Sequence, residues 1–463
     1  MGVATLLGFG LAWQKYRCFN GEQNDLAIFS YALSQVFHGR FLPLYYMNGS
    51  LLGNHLNLII LLWLPVYAIW RSFYSLLFFQ SAMIVIAAWP LYLLAKDVLR
   101  RESVALLLGV AFLVFPTIAS QHVNQIHDDQ FALPFVMYAM LFYCRKEFCK
   151  FCVCCLLTCL AKENMAITTV AFGACALLQH RNWKWVLTPI ALSVTYFLLA
   201  FKIMASLFAG VGAGLYTNTS YLQAYGKSPG EVLHTFVTRP GFVLGQMFSP
   251  EKTTYLKNLL LPTLFALPFL SLLVLVSLPN LLLNLIASNT AMIVIPWHYN
   301  IILGGTLLAS TVFGIKRIAD WFPTYSSRLA TVLAGAVLIL SIFGTSLWFQ
   351  SPEYQERPAS IALRHVMEIV PRDASVLCPA PMLAQFANNP KMNSAYSVIR
   401  NDGGVEKAAN YDVIILDGNW RNFEASAQQP LVEWIQKSGA YDLVFNESNV
   451  YAFRKRQLLL PPS

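Results

Sequence analysis

Charged residues are scarce in this chain: Asp, Glu, Lys and Arg make up 12% of its 463 residues, while 57% are apolar. Soluble domains carry roughly a quarter charged residues, so a water-facing shell around a core of this size is excluded. Long apolar sequence is abundant instead. The runs Phe73 to Ala95, Val104 to Ser120, Trp185 to Ala205, Leu259 to Ser277 and Leu329 to Phe349 each approach the ~20 residues that cross a hydrocarbon core. The bilayer is the main solvent.

Other things are missing too. The formal charge is +9, but Lys and Arg are scattered over loops and form no basic stripe interleaved with aromatics, which argues against nucleic acid. Membrane lipid head groups or a phosphate-bearing substrate account for the excess. Nine cysteines are present, and Cys149 and Cys152 make a CxxC that no second CxxC or His pair follows. Cys144, Cys149, Cys152, Cys154, Cys155 and Cys159 therefore read as helix packing. The remaining cysteines suggest no disulfide framework. Val3 to Trp13 has no basic n-region or cleavage site and reads as a tilted or truncated first helix. There is no internal repeat and no low-complexity stretch.

Lys and Arg near span ends mark the cytoplasmic side. Lys96, Arg100 and Arg101 fall in one short loop; Arg145, Lys146 and Lys150 in a second; Arg181 and Lys184 in a third; Lys316, Arg317 and Arg328 in a fourth. With those inside, the outer segments are His122 to Gln130, Lys162 to Asn164, Ser206 to Lys257, Pro296 to Asn300 and the tail after Phe349. His55 to Trp70 then reads as a Pro65-broken helix in the outer interface. This gives about 11 spans, several of them short enough to need tilt.

After Ser351 the composition turns polar. Ser375 to Cys378, Val413 to Leu416, Leu443 to Phe445 and Val450 to Arg454 read as strands, and Val432 to Ser438 as a helix. The expected organisation is a transmembrane domain over residues 1–350 and a small extracytoplasmic α/β domain over 351–463.

Ionisable side chains in apolar surroundings cost about 2.5 to 3.5 kcal/mol each unless partnered or hydrated, so each is a candidate site. Asp25 opens an amphipathic helix whose apolar positions are Leu26, Phe29, Leu33, Val36 and Phe37. It serves either as a cap or as a reacting carboxylate. His55 starts the interfacial helix. His127, Asp128 and Asp129, with His122 a turn earlier, supply an imidazole and two carboxylates. These cap the next helix or hold a divalent cation, Mg2+ or Mn2+. Lys162 and Glu163 lie together between two apolar segments, as a self-neutralising pair or as a phosphate-binding ammonium with its partner. His298 sits among the interfacial aromatics Trp297 and Tyr299. The basic loops place all of these on one side.

The ordered strings QNDLAIF, GNHLNLIILLWLPVYAIW, QSAMIVIAAWPLYLLAKDVLR, IHDDQFALP, LAKEN and PWHY resemble an uncharacterised multi-pass membrane protein family (DUF 2079 type), over roughly Gln23 to Ile315. That family is similar to the GT-C class of integral-membrane glycosyltransferases. At the fourth string, Asn124 to Asp129 stands where the family has an aromatic-Asp-aromatic-His-Pro-like sequence. The resemblance implies a helical bundle with two interfacial helices in a long first external loop, and an acidic residue early in that loop, the position of Asp25. It also implies a polyprenyl-phosphate sugar donor and an active site on the non-cytoplasmic face of the cell membrane. On that reading Asp25 is the base, Lys162 holds the leaving phosphate with His55, His127 and His298 helping, Glu163 orients them, and Arg239 is a weaker cation. The acceptor is open. The alternatives are a transporter or flippase, whose inverted repeats are not seen, and a non-catalytic assembly factor.

Overall fold

The computed structural model describes residues 1–207, 221–349, 352–395, 397–398, 404–419 and 423–456. Of the outer loop expected from Ser206 to Lys257, residues 208–220 lie outside these. The chain is a multi-pass membrane protein with a small sheet near its C-terminal end. Its helices used below are α1 (Gly2–Arg17), α2 (Asn24–Val36), α3 (Phe73–Leu99), α4 (Glu102–Leu113), α5 (Asp128–Arg145), α6 (Phe148–Ala161), α7 (Ala166–Leu178), α8 (Trp183–Leu207), α9 (Ile301–Trp321), α10 (Ser326–Ser346), α11 (Pro358–Ile369) and α12 (Phe423–Ser438).

The chain forms two compact units. The first comprises Met1–Phe9, Leu52–Trp63 and Phe78–Gln350; the second comprises Gly10–Leu51, Leu64–Leu77 and Ser351–Ser463.

Four stretches among the described residues are long and apolar enough to span: Phe73–Leu99, Trp183–Ser206, His298–Trp321 and Pro323–Ser346. A fifth arises if Glu102–Leu113 and Pro116–His122, bent by 51°, form one span. The bend has a local cause. Pro116 disfavours helical geometry at the residue before it, and Phe115 is extended at φ −69°, ψ 132°. The shorter apolar helices are Leu58–Ile69, Phe148–Ala161 and Glu163–Leu178.

The span containing α9 is the spine: 78% of its apolar window is buried, against 22% for those containing α8 and α10. Small residues at Gly304, Gly305, Thr306, Ala309, Ser310 and Gly314 let neighbours come close, the usual device where lipid gives no hydrophobic drive for helix association. A Cβ on Gly304 would strike the Thr117 hydroxyl, and one on Gly314 would strike the Leu267 carbonyl.

Leu267 belongs to a segment that departs from expectation. Leu259 to Ser277 is apolar enough to read as a span, but after a helix that ends at Leu260 the chain forms three short 3-10 pieces, Leu261–Thr263, Leu267–Leu270 and Leu272–Val276. Pro262 and Pro268 each remove a backbone donor and crowd the preceding turn. Leu264 and Phe265 take left-handed φ values of 54° and 55°, which stops the helix outright.

The second unit holds a five-stranded sheet of β1 (Val376–Cys378), β2 (Met392–Ser394), β3 (Val413–Asp417), β4 (Tyr441–Glu447) and β5 (Val450–Lys455). The strand order is β2-β1-β3-β5-β4. β1 is parallel to both β2 and β3, while β5 runs antiparallel to β3 and β4. Central β3 is buried throughout, as its unbroken apolar run requires. Ser448 and Asn449, both with positive φ, make the tight β4-β5 turn. Leu377, Val398, Ile414, Leu431 and Ile435 form the core on the α12 side.

α2 is packed within this unit along most of its length, with Leu26, Ala27, Phe29, Tyr31, Ala32 and Leu33 all buried. Polar side chains fix it: Tyr31 Oη donates to the Pro390 carbonyl at 3.1 Å and Gln35 Nε2 to the Asn389 carbonyl at 3.2 Å. The Gln23 backbone N–H donates to the Ala380 carbonyl at 3.2 Å.

Gly314→Ala should destabilise the protein by about 1–3 kcal/mol through overpacking against rigid backbone. Gly335→Ala, on α10 where an added Cβ meets nothing, should change stability by no more than about 0.5 kcal/mol. Thermal unfolding of the detergent-solubilised protein checks this, and equal midpoints would show that α9 and the 3-10 segment do not approach so closely.

Candidate functional site

In the first unit, chain breaks at four places bring polar residues together inside an apolar bundle. The first break precedes α5. His127 is its N-cap residue, and the His127 backbone N–H donates to Gln130 Oε1 at 2.8 Å. Asp128 and Asp129 follow in the first turn, where carboxylates complement the helix dipole. The second lies between α6 and α7, where Lys162 is extended at φ −166°, ψ 139° and Glu163 opens a 3-10 turn. The third is the non-helical stretch His55, Leu56 and Asn57, and the fourth carries His298 before α9.

Lys162 Nζ donates to Asp129 Oδ2 at 3.1 Å, with the two side chains only 7% and 6% exposed. Glu163 is fully buried. Its Oε1 lies 2.9 Å from His55 Nδ1 and its Oε2 accepts the Leu56 N–H at 3.0 Å. Asp128 Oδ1 accepts from Asn57 Nδ2, and Asn57 Oδ1 in turn takes the Ile60 N–H at 3.1 Å. The His127 and His298 rings stack with centroids 3.5 Å apart. Tyr299 lies against His298 at 4.0 Å, and Tyr196 Oη ties in α8 by donating to the Leu56 carbonyl at 2.9 Å.

Lys162 and Glu163 are thus not each other's salt-bridge partners, as their adjacency suggested. An extended residue sends its side chain to the opposite side from its neighbour, so Lys162 reaches α5 and Glu163 reaches the His55 loop. The structure brings together His55, His127, Asp128, Asp129, Lys162, Glu163 and His298. Asp25 lies in the second unit, in the first turn of α2. His122 packs against Gly8 and sits 3.2 Å from Ser81 Oγ. Arg239 is exposed at the break between Pro229–Thr238 and Pro240–Met247.

Charge does not balance in the cluster. Lys162 is surrounded by the carboxylates of Asp129, Asp128 and Glu163. Three carboxylates facing one ammonium in low dielectric must retain a proton or a cation. For a divalent ion the donor set is poor: Asp129 is engaged by Lys162 and Asp128 by Asn57. Among the described residues no group of three or more His, Cys, Asp or Glu side chains could hold a metal.

Sequence reading missed Asn57, Tyr196 and a set of buried amides. The Pro296 carbonyl accepts from Ser120 Oγ at 3.2 Å, Gln121 Nε2 at 2.6 Å and Asn124 Nδ2. Gln130 Nε2 donates to Gln121 Oε1 at 3.0 Å, while Gln80 from α3 donates to the carbonyls of Gln121 and Asn124. This network ties the loop bearing His127 to the loop bearing His298. The available signal was polar residues inside apolar runs: Asn57 within GNHLNLII and Gln80 within FFQSAM.

Residues 17–451 match the model of a family described as "Predicted membrane protein (DUF2079)". No curated protein matches the chain in sequence. In three dimensions it is similar to the crystal structure of ArnT from Cupriavidus metallidurans in the apo state, a glycosyltransferase of the GT-C class, with a TM-score of 0.54. Identity is 9%, and the likeness covers 99% of each chain. It establishes an ArnT-like fold.

Removing one member of a buried ion pair strands the other at a cost of about 3–5 kcal/mol. Lys162→Met and Asp129→Asn should each lower the unfolding midpoint in lipid nanodiscs, and the double variant should lose clearly less than the sum. Strictly additive losses would show that the two side chains are not coupled.

Proposed function

The chain belongs to the DUF2079 family of predicted membrane proteins, and from that premise we propose that it is an integral-membrane glycosyltransferase. It moves a sugar from a polyprenyl-phosphate-linked donor to an acceptor on the non-cytoplasmic face of the cell membrane. The observation that carries the reading is the convergence of seven ionisable side chains at the chain breaks of a GT-C-like bundle. Such a concentration of charge is expensive to keep in hydrocarbon without a use. The short basic loops support an outer location for it and for the C-terminal domain, and a count of about 11 spans follows from the same parity.

The chemistry needs two kinds of group. A carboxylate takes the proton from the acceptor hydroxyl as its oxygen bonds to the anomeric carbon, and Asp25 is the proposed base. The anomeric C–O bond breaks with its electrons passing to the donor phosphate, whose growing charge needs a fixed positive partner, usually the larger contribution. Lys162 is that partner: its ammonium carries three N–H donors, one of which goes to Asp129. Glu163 and Asn57 hold the surrounding backbone and Asp128 holds Asn57, while His55, His127 and His298 help Lys162 hold the phosphate. Asp25 and the cluster belong to different units, so each is tested by itself.

Purified protein in proteoliposomes should release sugar from a radiolabelled polyprenyl-phosphate sugar when acceptor is present. Asp25→Asn should cut the rate about 10²- to 10⁴-fold, with the unfolding midpoint unchanged. Folded protein that leaves every donor intact would overturn the reading, and donor crossing between leaflets without sugar release would point to a flippase instead.

A further inference from the structure

The second unit contains a groove that no step above uses. One wall is the tight hairpin Leu42 to Leu51, pinned by the Pro43–Ser50 bridge, by the Leu44 N–H on the Gly49 carbonyl at 3.0 Å, and by the Leu51 N–H on the Leu42 carbonyl at 2.7 Å. It presents Tyr45 and Tyr46, whose rings meet edge to face at 5.2 Å, and exposed Asn48. The facing wall belongs to the C-terminal domain: Lys391 and Asn393 at β2, and Lys407, Asn410 and Tyr411 ahead of β3. The cavity between them measures about 450 Å³.

Its lining has a specific chemistry. The half-buried rings of Tyr45 and Tyr46 offer flat apolar faces with polar edges, suited to the C–H face of a pyranose, while Tyr411 is buried. The exposed side chains of Asn48 and Asn410 each carry both donor and acceptor, suited to neighbouring hydroxyls. Lys391 lies over the Tyr411 ring at 4.5 Å, so its ammonium is held in place, and Lys407 is exposed beside it. Among the described residues two ammonium groups and no carboxylate line the groove; Asp412, outside it, lies within electrostatic reach of Lys391.

We propose that this groove binds an anionic saccharide, a sugar chain bearing carboxylate or phosphate, and that it is the acceptor subsite of the transferase, which rests on the glycosyltransferase reading above. Asp25 is placed to serve it: burial pushes the Tyr46 hydroxyl up, and the Asp25 carboxylate adds to that shift, so Asp25 is within electrostatic reach of the groove's inner wall. The hairpin and the C-terminal domain together then select the acceptor by its charge.

The test is binding by the full chain in detergent micelles, read by calorimetry, with three probes: an oligogalacturonide, a phosphorylated oligomannoside and a neutral maltooligosaccharide. At least one acidic probe should bind about tenfold or more tighter than the neutral one, and the better of the two tells carboxylate from phosphate. Lys407→Glu, at an exposed side chain whose reversal leaves the fold intact, should erase that preference. Tyr46→Ala should weaken the acidic probe about tenfold with the unfolding midpoint retained. Equal affinity for acidic and neutral probes, no binding of any, or no effect of Lys407→Glu overturns the proposal. Sugar release from the lipid-linked donor is measured in parallel: binding without release defeats the transferase and leaves the groove, whereas release without binding defeats the groove alone.

Discussion

The buried pair of Lys162 and Asp129 is the constraint around which the first unit is arranged. An ammonium and a carboxylate can stay out of water only if each supplies the other's charge and both find further polar partners. That condition fixes where α5 begins, because Asp129 must sit in its first turn. It also fixes where α6 ends, because Lys162 must leave the helix extended to reach across. Glu163 is then turned the other way, and its burial obliges the His55 loop to bring an imidazole and the Leu56 N–H. One ion pair thus determines three chain breaks. The fourth, at His298, is held by neutral amides converging on the Pro296 carbonyl.

Spans were legible as long as apolar composition and helical continuity coincide. They do at α3, α8 and α10, where observed ends lie within a few residues of the apolar runs. They do not at Leu259 to Ser277, which is as apolar as the others but carries Pro262 and Pro268. Hydropathy measures what a segment is dissolved in and is blind to whether its backbone closes i to i−4 bonds. In the C-terminal region, β1, β3, β4 and β5 follow from short apolar runs between turn residues. β2 is three residues, Met-Asn-Ser, with no alternation to see, and exists because β1 has an unpaired edge to fill.

For the site, identities were readable and pairings were not. Charge in an apolar context marked His127, Asp128, Asp129, Lys162 and Glu163, because the energetic penalty acts on residue type alone. Which carboxylate meets which cation depends on side-chain direction at one extended residue, Lys162, and that is a property of the fold. Asn57 shows the other limit: an asparagine carries no charge penalty, so a buried amide that holds Asp128 resembles any loop asparagine. The Tyr45-Tyr46 hairpin was equally silent, since its meaning comes from the two lysines that the C-terminal domain sets opposite it.

The cluster around Lys162 and the groove beside Tyr46 differ in charge, and under the proposed function this bears on how a lipid-linked donor and a sugar acceptor could be told apart. The cluster around Lys162 holds three carboxylates, Asp128, Asp129 and Glu163, about one ammonium, so its field disfavours a freely diffusing anion. Among the described residues the groove beside Tyr46 is lined by two ammonium groups and no carboxylate. Under the proposal a diffusing anionic saccharide is drawn to the groove and not to the cluster. A donor anchored in the bilayer is delivered by its hydrocarbon tail and does not need long-range attraction. Under the proposed function, two anionic substrates would in this way be sorted by route of arrival as well as by shape.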